Sequence, residues 1–170
     1  MTHLTGNQRA RYVQGMFTRI ASSYDLMNRL MTFGQDAAWR NEVIQHADLP
    51  PEGGQLLDLG AGTGDLGFEA LRQFPGTLSV EADFTLEMLR VGQQRMSSRS
   101  PSQPTAQTSI SWSTADALNL PFPTSTFDAV VSGFLMRNVI DLPLALSEQF
   151  RVLKLGGRIV ILDTTRPGKN

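Results

Sequence analysis

The stretch Leu56–Leu66, LLDLGAGTGDL, leaves this chain few folds to choose from. Apolar residues flank one acid, Asp58, and glycines then fall at alternate positions, Gly60, Gly62 and Gly64. The pattern predicts a buried strand that runs straight into a tight glycine turn and on into a helix. Glycine there lets the backbone take positive φ and lets a ligand approach bare main chain. A dinucleotide fingerprint GxGxxG would carry its last glycine where Asp65 stands. An acid at that place opposes a pyrophosphate near the helix N-terminus. The expected ligand is a nucleoside without phosphates, and S-adenosyl-L-methionine fits. The bland alternative is a plain strand-to-helix turn, but Asp58 in an apolar strand end also needs a reason.

The rest of the chain sorts into two patterns. Up to about residue 50 it reads as amphipathic helix. Val13, Met16, Phe17 and Ile20 recur at helical spacing, as do Leu26, Leu30 and Met31. Gly34 stops that segment, and Trp39, Val43 and Ile44 mark another short helix closed by Pro50 and Pro51. From Gln55 strands and helices alternate. Strands are expected at Leu56–Leu59, Leu78–Ala82, Ile110–Ser113, Phe127–Ser132 and Arg158–Leu162. Helices are expected at Leu66–Phe74, about Leu86–Met96 and Leu142–Leu153, with a turn at Gly156 and Gly157. Ser97–Ser109, rich in Ser, Pro, Gln and Thr, reads as a mobile surface loop. The division expected is 1–50 as a helical cap and 51–170 as an α/β core, in one domain.

Strands separated by helices imply right-handed crossovers and a parallel sheet covered on both faces. Such sheets bind ligands at the carboxyl ends of their strands, near the switch in strand order. Asp58 with the glycine turn, Asp83, Asp116, and Ser132 with Gly133 all fall at such ends. Asp83 can accept hydrogen bonds from both hydroxyls of a ribose, because an ionised acid only accepts. Glu81 competes for that role from inside the strand, and a charge at a helix N-terminus is the alternative for Asp83. Asp116 can accept from the amine of an adenine and the Ala117 backbone can donate to a ring nitrogen, with Phe84 or Leu118 against the ring faces. A capping role is the alternative for Asp116.

Charge and composition exclude several partners. Lys and Arg number 15 against 16 Asp and Glu, for a net charge of −1, so no global field attracts nucleic acid or an anionic membrane. The absence of cysteine excludes disulfides and thiolate metal sites, and His3 and His46 make a histidine metal site improbable, so no metal is expected. No apolar run has the length of a membrane span or the form of a signal peptide, which makes a cytoplasmic protein the default expectation.

From Val13 to Pro167 the chain resembles the ubiquinone/menaquinone biosynthesis C-methyltransferase family, within the class I S-adenosylmethionine-dependent methyltransferases. VQGMFTRIASSYDLMNRLMTFG is similar to that family's N-terminal helical cap, and YDLMN (Tyr24 to Asn28) with Trp39 to its first signature. LDLGAGTGDL, ADFTLEML, ADALNLPFPTSTFDAV and RVLKLGGRIVIL follow in the family's order. The resemblance implies a Rossmann-like three-layer α/β sandwich with a mostly parallel sheet in the order 3-2-1-4-5. It implies cofactor contacts at Thr63, Asp83, Asp116, Ala117 and Ser132. Arg137 and Asn138, in the family's GLRN block, are implied to act on a prenylated quinol, a small-molecule acceptor that could bring the protein to the inner membrane face. Arg137 is then the residue to stabilise a phenolate, Asn138 to orient a hydroxyl or a water, and Tyr24 or a bound water to relay the proton. Helix capping is the alternative for Arg137.

The departures from the family pattern are Thr32 for Ser, Asp36 for His, Leu135 and Met136 for Gly-Leu, Leu155 for Pro, and Asp163 and Thr165 for Glu and Ser. Leu135 is expected to narrow the substrate entrance and Asp36 to alter the cap. The resemblance implies a further helix and two further strands after the fifth strand, beyond Asn170, so that either the sequence is a truncated one or an edge strand is left exposed. An apolar edge at Arg158–Leu162 is then expected to favour self-association. The functional expectation is C-methylation of a demethylated quinol. The alternatives are another small-molecule O- or N-methyltransferase, and a cofactor-binding chain without catalysis. A dehydrogenase is disfavoured by Asp65.

Overall fold

In the computed structural model, which describes residues 34–98 and 109–163 with residues 8, 12, 15, 16, 18, 19 and 32, each apolar run of the α/β part is a strand. The strands are β1 (Gln55–Leu59), β2 (Leu78–Asp83), β3 (Ile110–Thr114), β4 (Phe127–Gly133) and β5 (Leu153–Leu162). The helices are α1 (Asp36–His46), α2 (Asp65–Gln73), α3 (Leu86–Ser98) and α4 (Leu142–Val152), with a short 3-10 turn at Met136–Asn138. The sheet order is β3-β2-β1-β4-β5 and every pairing is parallel, as expected. The chain leaves β1 toward β2 on one side and later returns to β4 on the other. The crevice outside the carboxyl ends of β1 and β4 is therefore the switch point of the sheet.

Alternation along β1 sets the layers. Leu56 faces α1 and α2, in a core with Val43, Ile44, Ala47, Leu49, Leu66, Ala70, Ala129 and Val131. Leu57 and Leu59 face the other way, onto Ala82, Leu120, Phe127, Val130 and Val152 of α4. Each fully buried Leu or Val contributes about 1.5–3 kcal/mol relative to exposure. The last residues of the expected cap, Val43 to Leu49, thus belong to the same core as the sheet. The first face also carries α3, because a Cβ at Gly92 would lie 2.4 Å from the Trp112 ring of β3.

Boundaries shifted by small amounts. Helix α3 takes in Ser97 and Ser98, and 99–108, the rest of the expected loop except Ser109, lie outside the described residues. Helix α4 starts where Asp141 caps it, its Oδ1 accepting from Leu144 N at 3.0 Å. The turn expected at Gly156 and Gly157 lies inside β5. Phe127 pairs with Leu153, the next partner of the strand is Arg158 for Ala129, and the residues between loop outward with Gly156 at φ +83° and Leu155 fully exposed. Beyond this irregularity β5 is the outer strand of the sheet among the described residues, with Ile161 exposed. Thr18 donates to Glu87 at 3.3 Å, which brings part of the N-terminal segment to the start of α3. Tyr24 and Asn28 lie outside the described residues. Among the described residues no helix is long and apolar enough to cross a membrane.

Candidate cofactor and acceptor site

The glycine turn has the geometry its sequence demands. Gly60, Gly62 and Gly64 stand at φ +72°, +58° and +83°, a region where a Cβ costs about 1–2 kcal/mol per residue. Gly60 N and Ala61 N both donate to Ala82 O, at 2.7 and 3.1 Å, which ties the turn to the end of β2. Gly64 caps α2, and a Cβ on it would meet Trp112 at 2.7 Å.

Asp83 braces that turn from β2. Its Oδ2 accepts from Gly62 N at 2.8 Å and its Oδ1 from Thr85 N at 2.7 Å. Burial pushes its carboxyl up from the usual range, against the lowering effect of the two N–H groups. The Thr85 side chain adds a third contact to the carboxylate, which keeps acceptor capacity beyond these three. The competing Glu81 is fully buried, opposite Asp58 on β1, and does not open into the crevice.

Asp65 is not an isolated negative charge. Arg40 from α1 reaches it at 3.3 Å and Arg95 from α3 at 2.8 Å. The repulsion of a pyrophosphate is therefore partly offset, and the case against a dinucleotide rests more on the shape of the turn. The close approach that a third glycine gives in the dinucleotide motif passes here to Gly67, whose Cβ would lie 1.9 Å from Glu81 Oε1. Thr63 is buried, and its hydroxyl accepts from Arg95 at 2.8 Å, tying the turn to α3.

The segment after β3 continues the same wall. Asp116 is exposed, and its Oδ1 accepts from Leu118 N at 2.9 Å, which folds the Asp116–Asn119 turn and half-buries Ala117. Helix α4 anchors the chain between this turn and β4. Glu148 accepts from Leu120 N at 2.7 Å, and Arg151 donates to the carbonyls of Phe122 and Leu120 at 2.7 and 2.9 Å. The Arg151 guanidinium also holds the Glu148 carboxyl down at about 2. Phe84 is 43% exposed at the end of β2, where its ring can cover a flat ligand. Ser132, on β4, is fully buried and its Oγ meets no partner.

Across the crevice, the end of β4 forms a ledge. Phe134 has φ +58°, a strained conformation for an aromatic residue. Its ring meets Trp39 of α1 edge-on at 6.4 Å and lies under the Arg137 guanidinium at 4.9 Å. Arg137 N donates to Asp163 Oδ2 at 2.9 Å, and its guanidinium stands 3.8 Å from Oδ1. Asn138 Nδ2 donates to Phe134 O at 3.2 Å, so the side chain of Asn138 stabilises the strained residue. Leu135 packs over Gly60, 3.0 Å from where a Cβ would be, and joins the ledge to the glycine turn.

The structure therefore brings Asp58, the three glycines, Thr63, Asp83, Phe84, Asp116, Ala117 and Ser132 to one end of the sheet, with Arg137 and Asn138 beside them. Arg40, Arg95, Phe134 and Trp112 were missed as site residues. Only the Arg at either side of Asp65 left a trace in the sequence, as cations on predicted helices. Two of the family departures touch each other: Thr32 Oγ1 donates to Asp36 Oδ1 at 3.2 Å, and Asp36 is ion-paired with Arg40. Asp36 thereby steadies the arginine that meets Asp65. Thr165 lies outside the described residues.

The model of the ubiE/COQ5 methyltransferase family matches residues 4–170. A demethylmenaquinone methyltransferase of Roseiflexus castenholzii is 42% identical over 161 residues, covering 95% of this chain and 63% of the relative. A ubiquinone/menaquinone biosynthesis C-methyltransferase UbiE of Desulfotalea psychrophila is 44% identical, covering 93% of this chain and 60% of the relative. This chain thus spans somewhat under two thirds of the length of those relatives. Geranyl diphosphate C-methyltransferase of Streptomyces coelicolor, solved with S-adenosyl-L-homocysteine, shares the fold at a TM-score of 0.65 and 23% identity, over 74% of this chain and 45% of its own. The chain belongs to the ubiE/COQ5 methyltransferase family.

Proposed function

We propose that this chain binds S-adenosyl-L-methionine at the carboxyl ends of β1 to β4 and presents it to a demethylated quinol for C-methylation. The observation that carries the reading is Asp83. It shapes the glycine turn through Gly62 N and retains acceptor capacity toward the crevice, next to bare main chain. A ribose would take those lone pairs, an adenine the Asp116–Ala117 turn and the Phe84 ring, and the orphaned Ser132 Oγ a polar partner or a water. The residues present fit such a ligand, and the names of the relatives point to the same chemistry.

When bound, the cofactor supplies an electrophilic methyl carbon on a sulfonium. The chain's own residues have to orient the acceptor ring and favour its phenolate, whose charge reaches the ring carbon. Arg137 is always cationic and offers that charge from the ledge, with its backbone held by Asp163. Asn138, spent partly on Phe134 O, retains acceptor capacity for a hydroxyl or water. Tyr24 remains the proposed proton relay. A prenylated acceptor would place the site at a membrane surface, and the β5 edge is where we would seek self-association.

The test is transfer of labelled methyl from the cofactor to demethylmenaquinol, with phenolic O-acceptors and amine acceptors in parallel. Label in the quinol ring supports the proposal. Label only on oxygen or nitrogen replaces the acceptor, and cofactor binding without transfer to any acceptor reduces the function to binding.

A further inference from the structure

Two fully buried carboxyls lie side by side beneath the glycine turn, shut off from the crevice. Asp58 and Glu81 are register partners on β1 and β2, at 1% and 0% exposure. Adjacent strands are about 4.8 Å apart, so side chains in register on one face meet. No donor comes within bonding geometry of either Asp58 oxygen or of Glu81 Oε2. The polar groups facing Asp58 are the Glu81 carboxyl and the Gly67 backbone N–H. Glu81 Oε1 accepts from Ser79 Oγ at 2.5 Å.

The first turn of α2 closes over this pair. A Cβ at Gly67 would lie 1.9 Å from Glu81 Oε1, and one at Gly64 would lie 3.6 Å from Oε2. Trp112, next in register on β3, closes the side, and Gly92 of α3 packs against it. The charged groups facing the pair are Asp65 at the start of α2 and Asp83 at the end of β2. Arg40 of α1 and Arg95 of α3 are directed at Asp65, and among the described residues no cation pairs with Asp58 or Glu81.

Two adjacent carboxylates shut away from water cannot both stay ionised. We propose that Asp58 and Glu81 hold one proton between them, making Glu81 a positioning residue whose proton keeps α2 and the glycine turn seated on the sheet. The consequence for the cofactor rests on the function proposed above; the shared proton does not. A second negative charge could be relieved only by admitting water or by lifting the first turn of α2, and that turn carries Gly64.

Burial pushes the Asp58 carboxyl up to about 7, against the lowering contact with Glu81 and with the charges of Asp83 and Asp65 adding to the rise. Burial, then the Asp58 charge, holds Glu81 well above the usual carboxylate range. Both folded values lie above the unfolded ones. The folded chain therefore keeps a proton that the unfolded chain releases above about pH 4.3. The stabilisation is full below that pH and is lost as pH rises through neutrality.

The experiment compares the chain with Glu81→Gln, by thermal unfolding from about pH 5.5 to about pH 8.5 and by calorimetric titration with S-adenosyl-L-homocysteine at both ends of the range. Gln has the same shape and carries a permanent N–H donor for Asp58. The unsubstituted chain should lose melting temperature and about tenfold or more in affinity toward high pH, as one proton leaves. The variant, in which a permanent donor faces Asp58, should show a clearly shallower fall over the same range. Parallel profiles for the two proteins would overturn the shared proton, since a merely structural Glu81 shifts both by a constant. Should the variant fail to fold, the infrared carbonyl band of a protonated carboxyl in the unsubstituted chain decides. Its presence near pH 6 and loss near pH 8.5 supports the pair, and its absence throughout overturns it. No binding of the homocysteine product at either pH would sink the cofactor reading instead, while the melting profiles still report on the proton.

Discussion

The two walls of the crevice are built in different ways. On the β1–β3 side, the glycine turn is fixed by local main-chain bonds, Gly60 and Ala61 to Ala82 and Gly62 to Asp83, all within short reach of one motif. On the β4 side, the ledge from Phe134 to Asn138 takes its shape from distant residues: Trp39 on α1 and Asp163 after β5. The first wall follows the pattern shared by the wider fold. The second carries Leu135, Met136 and Asp163, which depart from the family's usual residues. A site divided in this way can keep its cofactor half unchanged while its acceptor half varies.

The sharpest way to break the first wall is Gly64→Ala. It forces a Cβ to φ +83° and into Trp112 at 2.7 Å. Left-handed strain of about 1–2 kcal/mol and overpacking of about 1–3 kcal/mol should together remove about 2–5 kcal/mol of stability, read by denaturant unfolding. An unchanged unfolding midpoint would mean that the turn has room that the geometry denies. Next in size is Asp83→Ala, which should weaken binding of S-adenosyl-L-homocysteine by about 1.5–3 kcal/mol, the range for hydrogen bonds to a charged group. Unlike a simple cap, Asp83 also holds Gly62 N, so some stability should go with it; Asp83→Asn should recover part of both. Equal affinities for all three proteins would return attention to the Asp116 wall.

The second wall should respond differently. Asp163→Asn leaves the Arg137 N–H an acceptor but removes the charge facing the guanidinium, 3.8 Å away. Acceptor turnover should fall severalfold while affinity for the cofactor product stays within about twofold, since partly exposed ion pairs are worth about 0–1 kcal/mol. Loss of cofactor affinity in that variant would show the two walls to be coupled. The smallest effect is expected for Phe134→Gly. Relief of about 1 kcal/mol of left-handed strain should roughly cancel the lost ring contacts with Trp39 and Arg137. Unfolding should change little, and any cost should appear only in acceptor turnover.

The same division explains what could be read from the sequence. The strand order, the glycine turn and Asp83 depend on periodicity and on short spacing, and apolar runs at Leu56, Leu78 and Phe127 became strands within a residue of expectation. The β5 irregularity was read as a turn before the strand, because two glycines give the bend but not the pairing at Leu153. The two arginines on Asp65, and Trp39 under Phe134, arise from packing between α1, α2, α3 and the end of β4. Nothing local to any of these residues encodes the contact. Glu81 was legible as an acid near the site, yet its burial against Asp58 depends on strand register.

The central claim is that the crevice between the glycine turn, Asp83 and Asp116 takes an adenosyl amino acid without phosphates. Calorimetric titration of the chain with S-adenosyl-L-homocysteine and, separately, with NAD tests it most directly. The account predicts stoichiometric binding of the former and affinity for NAD at least about a hundredfold lower, about 2.7 kcal/mol. Equal or tighter binding of NAD, or no binding of the homocysteine product to a folded chain, would contradict it.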